Sequence, residues 1–150
     1  MTEALLKIDR PAVETEEQFA ALPFRRSKSG DIQVLLITSR ETKRWVLPKG
    51  WPMPNKSGPE TAGIEAYEEA GLYGKIKKKS VGSYLYFKVF KTGRSLPCSV
   101  KVYPMKVDRL SERWPEQHQR TRKWFGIKKA IQSVDEPSLK ALLRSWAVLA

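Results

Sequence analysis

The stretch GWPMPNKSGPETAGIEAYEEAGL, residues 50–72, decides the fold of this chain of 150 residues. Its middle predicts a helix over residues 59–70, because a proline suits the first helical position and Gly71 suits the position just after the end. Ser57 or Gly58 precedes that helix as the capping residue. The chain has a formal net charge of +12, yet this segment gathers four glutamates, Glu60, Glu65, Glu68 and Glu69. The acidic helix therefore needs an explanation.

Three of these glutamates share one face of the predicted helix. Glu65, Glu68 and Glu69 stand at positions i, i+3 and i+4, which are neighbours on a helix surface. Carboxylates this close repel and raise one another's pKa, unless a cation lies among them. Their oxygens suit Mg²⁺, which proteins usually hold with one or two carboxylates, waters and substrate phosphates. A metal site and a solvated acidic face both account for this spacing.

The basic residues elsewhere favour the first of these interpretations. Lys and Arg total 28, against 16 Asp and Glu, and such an excess favours anionic partners. A metal held by the glutamates can bridge to an anionic substrate, whose remaining charge the basic side chains hold. The sequence therefore predicts a phosphate site, with a solvated basic surface as the alternative.

The rest of the chain predicts a mixed sheet with helices packed on it. Residues 18–24 and 31–39 are predicted strands, the second a β-branched and apolar run of the length expected for a buried strand. Residues 75–90 and 99–109 are also β-rich, and residues 91–98 are the predicted hairpin loop between them. The predicted fold class is α/β or α+β.

One or two closing helices follow the strands. Trp124, Ile127, Ala130, Ile131 and Val134 fall at helical spacing, which predicts core packing. The length predicts a single domain over residues 1–150. We expect its core over residues 18–135, an N-terminal tail over 1–17 and a C-terminal helix over about 137–147.

The cysteine content and the lengths of the apolar runs indicate the cellular compartment of the protein. Cys98, the one cysteine, rules out an intramolecular disulfide and favours a reducing compartment. Residues 1–17 lack the pattern of a signal peptide, and no apolar run approaches the length of a membrane span. We therefore expect a cytoplasmic protein without membrane partners, and assign Cys98, in its predicted loop, no role.

The acidic segment resembles the Nudix box, G-x5-E-x7-R-E-U-x-E-E-x-G-U, in which U is a bulky aliphatic residue. Six of nine fixed positions match at the right spacing: Gly50, Glu65, Glu68, Glu69, Gly71 and Leu72. The segments WVLPKG, 45–50, and VLLITSR, 34–40, also stand where Nudix proteins carry similar segments. WPEQHQRTRKWF, 114–125, resembles a late element of the diphosphoinositol polyphosphate phosphohydrolase branch, which also hydrolyses dinucleoside polyphosphates.

The resemblance implies an α/β/α sandwich with a mixed central sheet and a catalytic loop-helix-loop. It implies Glu65 and Glu69 as ligands of Mg²⁺ or Mn²⁺, with the Gly50 carbonyl as a further ligand. It suggests Glu68 as the general base or another ligand. Outside the box, alternatives for the base are Glu112 and Glu116, for which plain surface charge is the competing interpretation.

The resemblance also implies a substrate and the residues that hold it. The expected activity is hydrolysis of a P–O–P linkage in a diphosphoinositol polyphosphate or a dinucleoside polyphosphate. The expected substrate-binding residues are Arg40, Lys49, Arg120 and Arg122. Two alternatives stay open: a pyrophosphohydrolase of RNA 5′ ends, and a Nudix domain that has lost catalysis and binds nucleotide or nucleic acid. No RNA-binding motif is recognisable, so a nucleic-acid partner is possible but not favoured.

Three positions depart from the family pattern. Lys56 replaces the first glutamate, Ile64 replaces the arginine, and Ala66 replaces a larger aliphatic residue. The family arginine is thought to orient the box carboxylates through ion pairing. Loss of both the arginine and the upstream glutamate leaves neither charge buried without its partner. Since the glutamate triplet is intact, we expect activity to survive.

Overall fold

A computed structural model describes residues 15–150. The strands are β1 (Glu16–Arg26), β2 (Ile32–Thr38), β3 (Trp45–Val46), β4 (Lys49–Gly50), β5 (Leu72–Ile76), β6 (Gly82–Val89), β7 (Ser95–Leu110) and β8 (Arg122–Gly126). The helices are α1 (Gly58–Ala70), α2 (Ile127–Ser133) and α3 (Pro137–Leu149). β1 therefore begins two residues before the predicted start of the core, and α3 ends two residues beyond the predicted helix. Residues 1–14 of the predicted tail lie outside the described residues.

The strands form one mixed sheet. Its order is β3-β2-β1-β7-β5, while β4 pairs with β1, β6 with β7 and β8 with β2. β1 and β7 run parallel, from the pair Glu16–Cys98 to the pair Phe24–Lys106. The remaining pairs among the described strands are antiparallel. The predicted mixed sheet is confirmed.

Helices cover both faces of this sheet. On one face, small residues of α1 such as Ala62 and Ala66 pack against Leu35, while Leu139 and Leu143 of α3 pack in the cluster on the other. Because both faces are covered, β2 is a nearly continuous apolar run rather than an alternating one. The architecture is the predicted α/β/α sandwich. No helix within residues 15–150 is both long and apolar enough to cross a membrane.

Capping interactions fix both ends of α1. The Ser57 hydroxyl accepts the N–H of Glu60, while the Glu60 carboxylate accepts the N–H of Ser57. This reciprocal pair is a capping box. At the other end Gly71 has a left-handed backbone with φ of 66°, which glycine adopts without the steric penalty of a Cβ atom. The caps hold α1 in one register, and its alanines allow it to lie close to the sheet.

The predicted hairpin loop over residues 91–98 is too long. β7 already begins at Ser95, and a tight turn with Gly93 at φ of 86° joins it to β6. Cys98 pairs with Tyr86 across the hairpin and is buried in the core, so its placement in a loop is wrong. The turn-forming residues marked the hairpin correctly. Pairing with β6 extends β7 towards its N-terminal end, beyond Pro97 to Ser95.

Trp124 does not belong to a helix. It lies in β8, where it pairs with Leu35 of β2, and its side chain packs in the cluster on the α1 face. α2 begins later, at Ile127. The segment RKWFG is extended because it completes the sheet beside β2, and sequence spacing alone does not reveal that pairing.

Candidate active site

The fold brings together Gly50, Glu65 and Glu69, the three residues predicted to bind metal. The N–H of Lys49 donates to Oε1 of Glu69 at 3.2 Å. A Cβ atom on Gly50 would overlap the carboxylate of Glu65. Strand β4 thus binds Glu69 through the N–H of Lys49. It can lie close to Glu65 because Gly50 has no side chain. The glycine is required here because the two segments lie so close together.

Burial raises the pKa values of both carboxyl groups, and the charges of neighbouring glutamates raise them further. The pKa of Glu69 is raised to about 7, first by burial, although the cationic Arg120 opposes this effect. The pKa of Glu65 is raised to about 8, first by burial and then by the charges of Glu69 and Glu68. This agrees with the expected repulsion on one helix face. A cation bound between these groups would relieve it.

The donor set fits a hard divalent cation. Within residues 15–150, no group of three or more His, Cys, Asp or Glu side chains is arranged to hold a metal ion as the side chains stand. Mg²⁺, however, usually takes only one or two protein carboxylates and completes its shell with waters and phosphates. Glu65, Glu69 and the Gly50 carbonyl are oxygen donors of this kind. Strand β4 contacts both carboxylates, through the Lys49 N–H at Glu69 and through Gly50 at Glu65.

A cavity of about 820 Å³ opens beside Glu69. The loop over residues 39–44, the tip of the β6–β7 hairpin and residues 135–137 form its walls. Its basic lining residues are Arg40, Arg44, Lys49, Lys88, Lys91 and Arg120. Nζ of Lys49 lies 3.9 Å from the centre of the Tyr86 ring, and burial is the main cause that lowers its pKa to about 8. Glu41, Asp135 and Glu136 also line the cavity, and Arg44 pairs with the last two. The other basic lining residues outside the ion pairs of the described residues are Arg40, Lys49, Lys88 and Lys91. They place positive charge beside Glu69, where it can hold an anion.

Comparison with known proteins identifies the family. No family model matches the chain. Nudix hydrolase 16, mitochondrial, of Arabidopsis thaliana is 34% identical over 134 residues, which cover 81% of this chain and 74% of that protein. The chain belongs to the Nudix hydrolases. The predicted enzyme class, a hydrolase of phosphoric anhydrides, is therefore confirmed at the level of the family.

Further relatives and solved structures agree with this assignment. Diphosphoinositol polyphosphate phosphohydrolase 3-beta of Homo sapiens is 29% identical over 119 residues, 78% of this chain and 68% of that protein. A C. elegans Ap4A hydrolase in a binary complex has a TM-score of 0.67 at 25% identity, over 90% of this chain and 97% of that one. The NUDIX domain of Shewanella oneidensis NrtR has a TM-score of 0.66 at 15% identity, with both chains fully covered, which shows the fold alone.

The predicted substrate-binding residues of this Nudix hydrolase have different surroundings. Arg40 and Lys49 line the cavity, and Nη1 of Arg40 donates to Oε1 of Gln119 at 3.2 Å. Arg122 is not among the lining residues. Its Nη1 donates to the carbonyl of Ala70 at 2.9 Å, and its guanidinium stacks 3.9 Å from the Trp114 ring. These contacts cap the C-terminal end of α1 and give Arg122 a structural task.

Arg120 lines the cavity but is bound to carboxylates. It forms ion pairs with Glu69 at 3.5 Å and with Glu116 at 2.8 Å. The main chain at Glu116 donates to the carbonyl of Glu68 at 3.0 Å, which joins this loop to α1. The exposed Glu112 lacks such contacts. Glu65, Glu68 and Glu116 are not lining residues of the cavity, but Glu116 contacts Arg120, which is one. Of the two alternatives outside the Nudix box, Glu116 is the one at the site.

Trp114 and Glu116 are site residues to which sequence reasoning gave little weight. Nε1 of Trp114 donates to the carbonyl of Glu69 at 3.1 Å. One signal was present, because Glu116 and Arg120 stand four residues apart, with opposite charges. It was weak, because such pairs are common on protein surfaces and contribute little there.

The raised pKa values predict how stability depends on pH in the absence of metal. Between about 4.5 and about 8 the folded protein binds more protons at Glu65 and Glu69 than the unfolded chain does. The free energy of unfolding should therefore fall as the pH rises through this window. Urea unfolding of metal-free protein near both ends of the window measures this fall. The double variant Glu65→Gln/Glu69→Gln should show a shallower fall, and an equal fall in both proteins would contradict the prediction.

Proposed function

We propose that this Nudix hydrolase cleaves a P–O–P linkage in a small polyphosphorylated substrate, with Mg²⁺ or Mn²⁺ as its cofactor. One observation carries the proposal: Glu69, which accepts the N–H of Lys49 beside Gly50 and Glu65, lines a cavity whose other walls carry basic side chains. A carboxylate that can bind a cation and basic side chains that can bind an anion thus line the same cavity. A polyphosphate bridged to a divalent cation needs both.

The roles divide between the two sets of residues. Glu65, Glu69 and the Gly50 carbonyl hold the cation, which when bound supplies Lewis-acid stabilisation of the phosphoryl oxygens. Arg40 and Lys49 hold the remaining phosphate charge and align the chain of phosphates. A glutamate accepts the proton of the attacking water as the new P–O bond forms and the bridging P–O bond breaks. Glu68 is our first candidate for this base, and two phosphate-terminated fragments are the products.

Aromatic side chains in the cavity favour a nucleotide among the two expected substrate classes. Tyr86, Phe87 and Phe90 line the same cavity as the basic residues, and the exposed fractions of Phe87 and Phe90 are 52% and 41%. Stacking of a base on an aromatic ring contributes about 1–3 kcal/mol in nucleic-acid complexes. A diphosphoinositol polyphosphate offers no such base. We therefore place dinucleoside polyphosphates first and diphosphoinositol polyphosphates second.

The departures from the Nudix box lie away from this cavity. Lys56 and Ile64 line a separate hollow with Tyr67 and Met105. Lys56 is exposed, so its charge is solvated rather than buried. This placement supports retention of activity over loss of catalysis.

A hydrolysis screen tests the proposed function. The substrates are dinucleoside polyphosphates, diphosphoinositol polyphosphates and a 5′-triphosphorylated RNA, each with Mg²⁺, Mn²⁺ or EDTA. We expect metal-dependent cleavage, fastest for a dinucleoside polyphosphate, while inositol phosphates that lack a diphosphate serve as the negative control. Fastest cleavage of RNA would favour the 5′-end activity instead. Absence of cleavage of every diphosphate-linked compound would refute the proposal.

Two broader expectations also stay proposals. We propose that residues 1–150 act as a single domain and that the protein works in the cytoplasm. Two separate unfolding transitions in calorimetry would contradict the first. The relative Nudix hydrolase 16 of Arabidopsis thaliana is named mitochondrial, and accumulation of a fluorescent fusion in an organelle would contradict the second.

A further inference from the structure

The Nudix box of this chain gives its own carboxylates no cationic partner. Ile64 replaces the box arginine, and both Ile64 and Lys56 face the hollow on the other flank of α1. Among the ion pairs within residues 15–150, neither position takes part. Glu69 is nevertheless buried, and a buried carboxylate needs partners for its charge. The partner must come from outside the box.

Arg120 supplies that partner from the loop before β8. Its side chain is 9% exposed, and each of its three nitrogens makes a contact. Nη2 pairs with Oε2 of Glu69 at 3.5 Å, Nε donates to Oε1 of Glu116 at 2.8 Å, and Nη1 donates to the carbonyl of Thr38 at 3.1 Å. The planar guanidinium is thus attached to three separate segments: α1, the end of β2 and the loop over residues 111–121.

The main chain beside Arg120 is anchored as well. The N–H of Thr38 donates to the carbonyl of Thr121 at 3.0 Å, and the N–H of Thr121 donates to the Thr38 hydroxyl at 2.9 Å. These bonds fix the backbone from which the arginine extends. The orientation of the guanidinium is therefore determined before any ligand enters the cavity.

Both oxygens of Glu69 are held as a result. Oε1 accepts the N–H of Lys49, and Oε2 faces Nη2 of Arg120. A carboxylate oxygen has two lone pairs, so each oxygen keeps one for another partner. Two contacts on opposite oxygens restrict the rotation of the carboxylate and leave each oxygen a lone pair for a cation.

We propose that Arg120 is a positioning residue that orients Glu69 for its cation, in place of the arginine absent from position 64. The inference rests on the proposed function, since it assumes that Glu69 binds a divalent cation. It changes the task expected of Arg120 from grip on the substrate phosphate to support of the metal-binding carboxylate. Glu116 helps to position Arg120, because it forms the shortest contact with the guanidinium.

The substitution Arg120→Lys separates geometry from charge. Lysine keeps the positive charge but lacks the planar fork that reaches three acceptors at once. We expect Mn²⁺ to bind this variant roughly 10- to 100-fold more weakly without substrate, as is typical when a group that orients a metal ligand is lost. Titration calorimetry with Mn²⁺ alone measures this. In turnover, kcat should fall while KM changes little.

The control is Arg40→Gln, which removes a cavity arginine that contacts Gln119 rather than a carboxylate. Its Mn²⁺ affinity without substrate should equal that of the wild type, while its KM should rise. Unchanged or tighter Mn²⁺ binding in Arg120→Lys would overturn the proposal. So would a rise in KM at constant kcat, because this is the signature of a residue that only grips substrate.

Glu116→Gln keeps the proposal testable if Arg120→Lys does not fold. It should also weaken Mn²⁺ binding, because it removes the charge that holds Nε, and unchanged affinity would overturn the proposal. If both variants fold, the double variant Arg120→Lys/Glu116→Gln should bind Mn²⁺ no more weakly than the single variant with the lower affinity. Both substitutions remove the same contact, so their effects should not add. If the wild type cleaves diphosphates and Arg120→Lys matches it, this inference alone fails. If the wild type cleaves none, the proposed function fails.

Discussion

Gly50→Ala is expected to lower the rate of hydrolysis by about 100-fold or more. A Cβ atom at this position would overlap the carboxylate of Glu65, so the glutamate must turn away or β4 must move. Either change displaces a predicted metal ligand. A displacement of about 1 Å at a reacting centre can reduce the rate about 100-fold. Steady-state turnover of the best substrate from the screen, at saturating Mg²⁺, measures the loss.

Gly63→Ala is the matched control for this substitution. Gly63 lies in α1, and an added Cβ atom there meets nothing within 4 Å. Its activity should match the wild type, and its free energy of unfolding should rise by about 0.5–1 kcal/mol, because alanine is the better helix former. If Gly50→Ala hydrolyses as fast as Gly63→Ala, the close approach of β4 and Glu65 has no part in catalysis.

Glu69→Gln should lower the rate by about 100- to 1000-fold, the range seen when one group that stabilises the transition-state charge is removed. The amide keeps the shape of the side chain and an acceptor for the N–H of Lys49. It loses the negative charge that binds the cation and pairs with Arg120. Stability without metal should not fall near neutral pH, because burial already disfavours the ionised carboxylate.

Glu60→Gln controls for the loss of one negative charge from the same helix. Glu60 closes the capping box, which glutamine also completes, and it lies in the first turn of α1, away from the cavity. Its rate should equal that of the wild type. A Glu69→Gln enzyme that keeps a wild-type rate with an unchanged melting temperature would remove Glu69 from the site.

Local signals in the sequence predicted the helix that carries the site. Ser57, a proline and Gly71 fix its ends, and the spacing of three glutamates fixes the face on which they lie. Such information is available because helix caps and helix faces depend on residues only three or four positions apart. The same local logic identified the strand 31–39, whose apolar run reflects burial on both sides.

The sequence did not predict contacts between segments that are far apart along the chain. The ion pair between Arg120 and Glu69 joins residues far apart in sequence, so the substrate-binding role expected for Arg120 rested on its charge and on the resemblance of residues 114–125. Arg122 likewise carried the expected charge, but its guanidinium caps α1 and stacks on Trp114. Cys98 was misplaced because the pairing of β7 with β6 is set by the tertiary structure. Residue type predicted which groups gather at the site, and packing determines which task each one has.

Anomalous diffraction from crystals grown with Mn²⁺ and a methylene-bridged dinucleoside polyphosphate tests the central claim most directly. We predict a Mn²⁺ peak within coordination distance of oxygens of Glu65 and Glu69, with the Gly50 carbonyl also facing the ion. The phosphates should lie between that peak and the side chains of Arg40 and Lys49. Phosphates bound in the cavity with no Mn²⁺ peak at these glutamates, or a peak elsewhere in the molecule, would contradict the account.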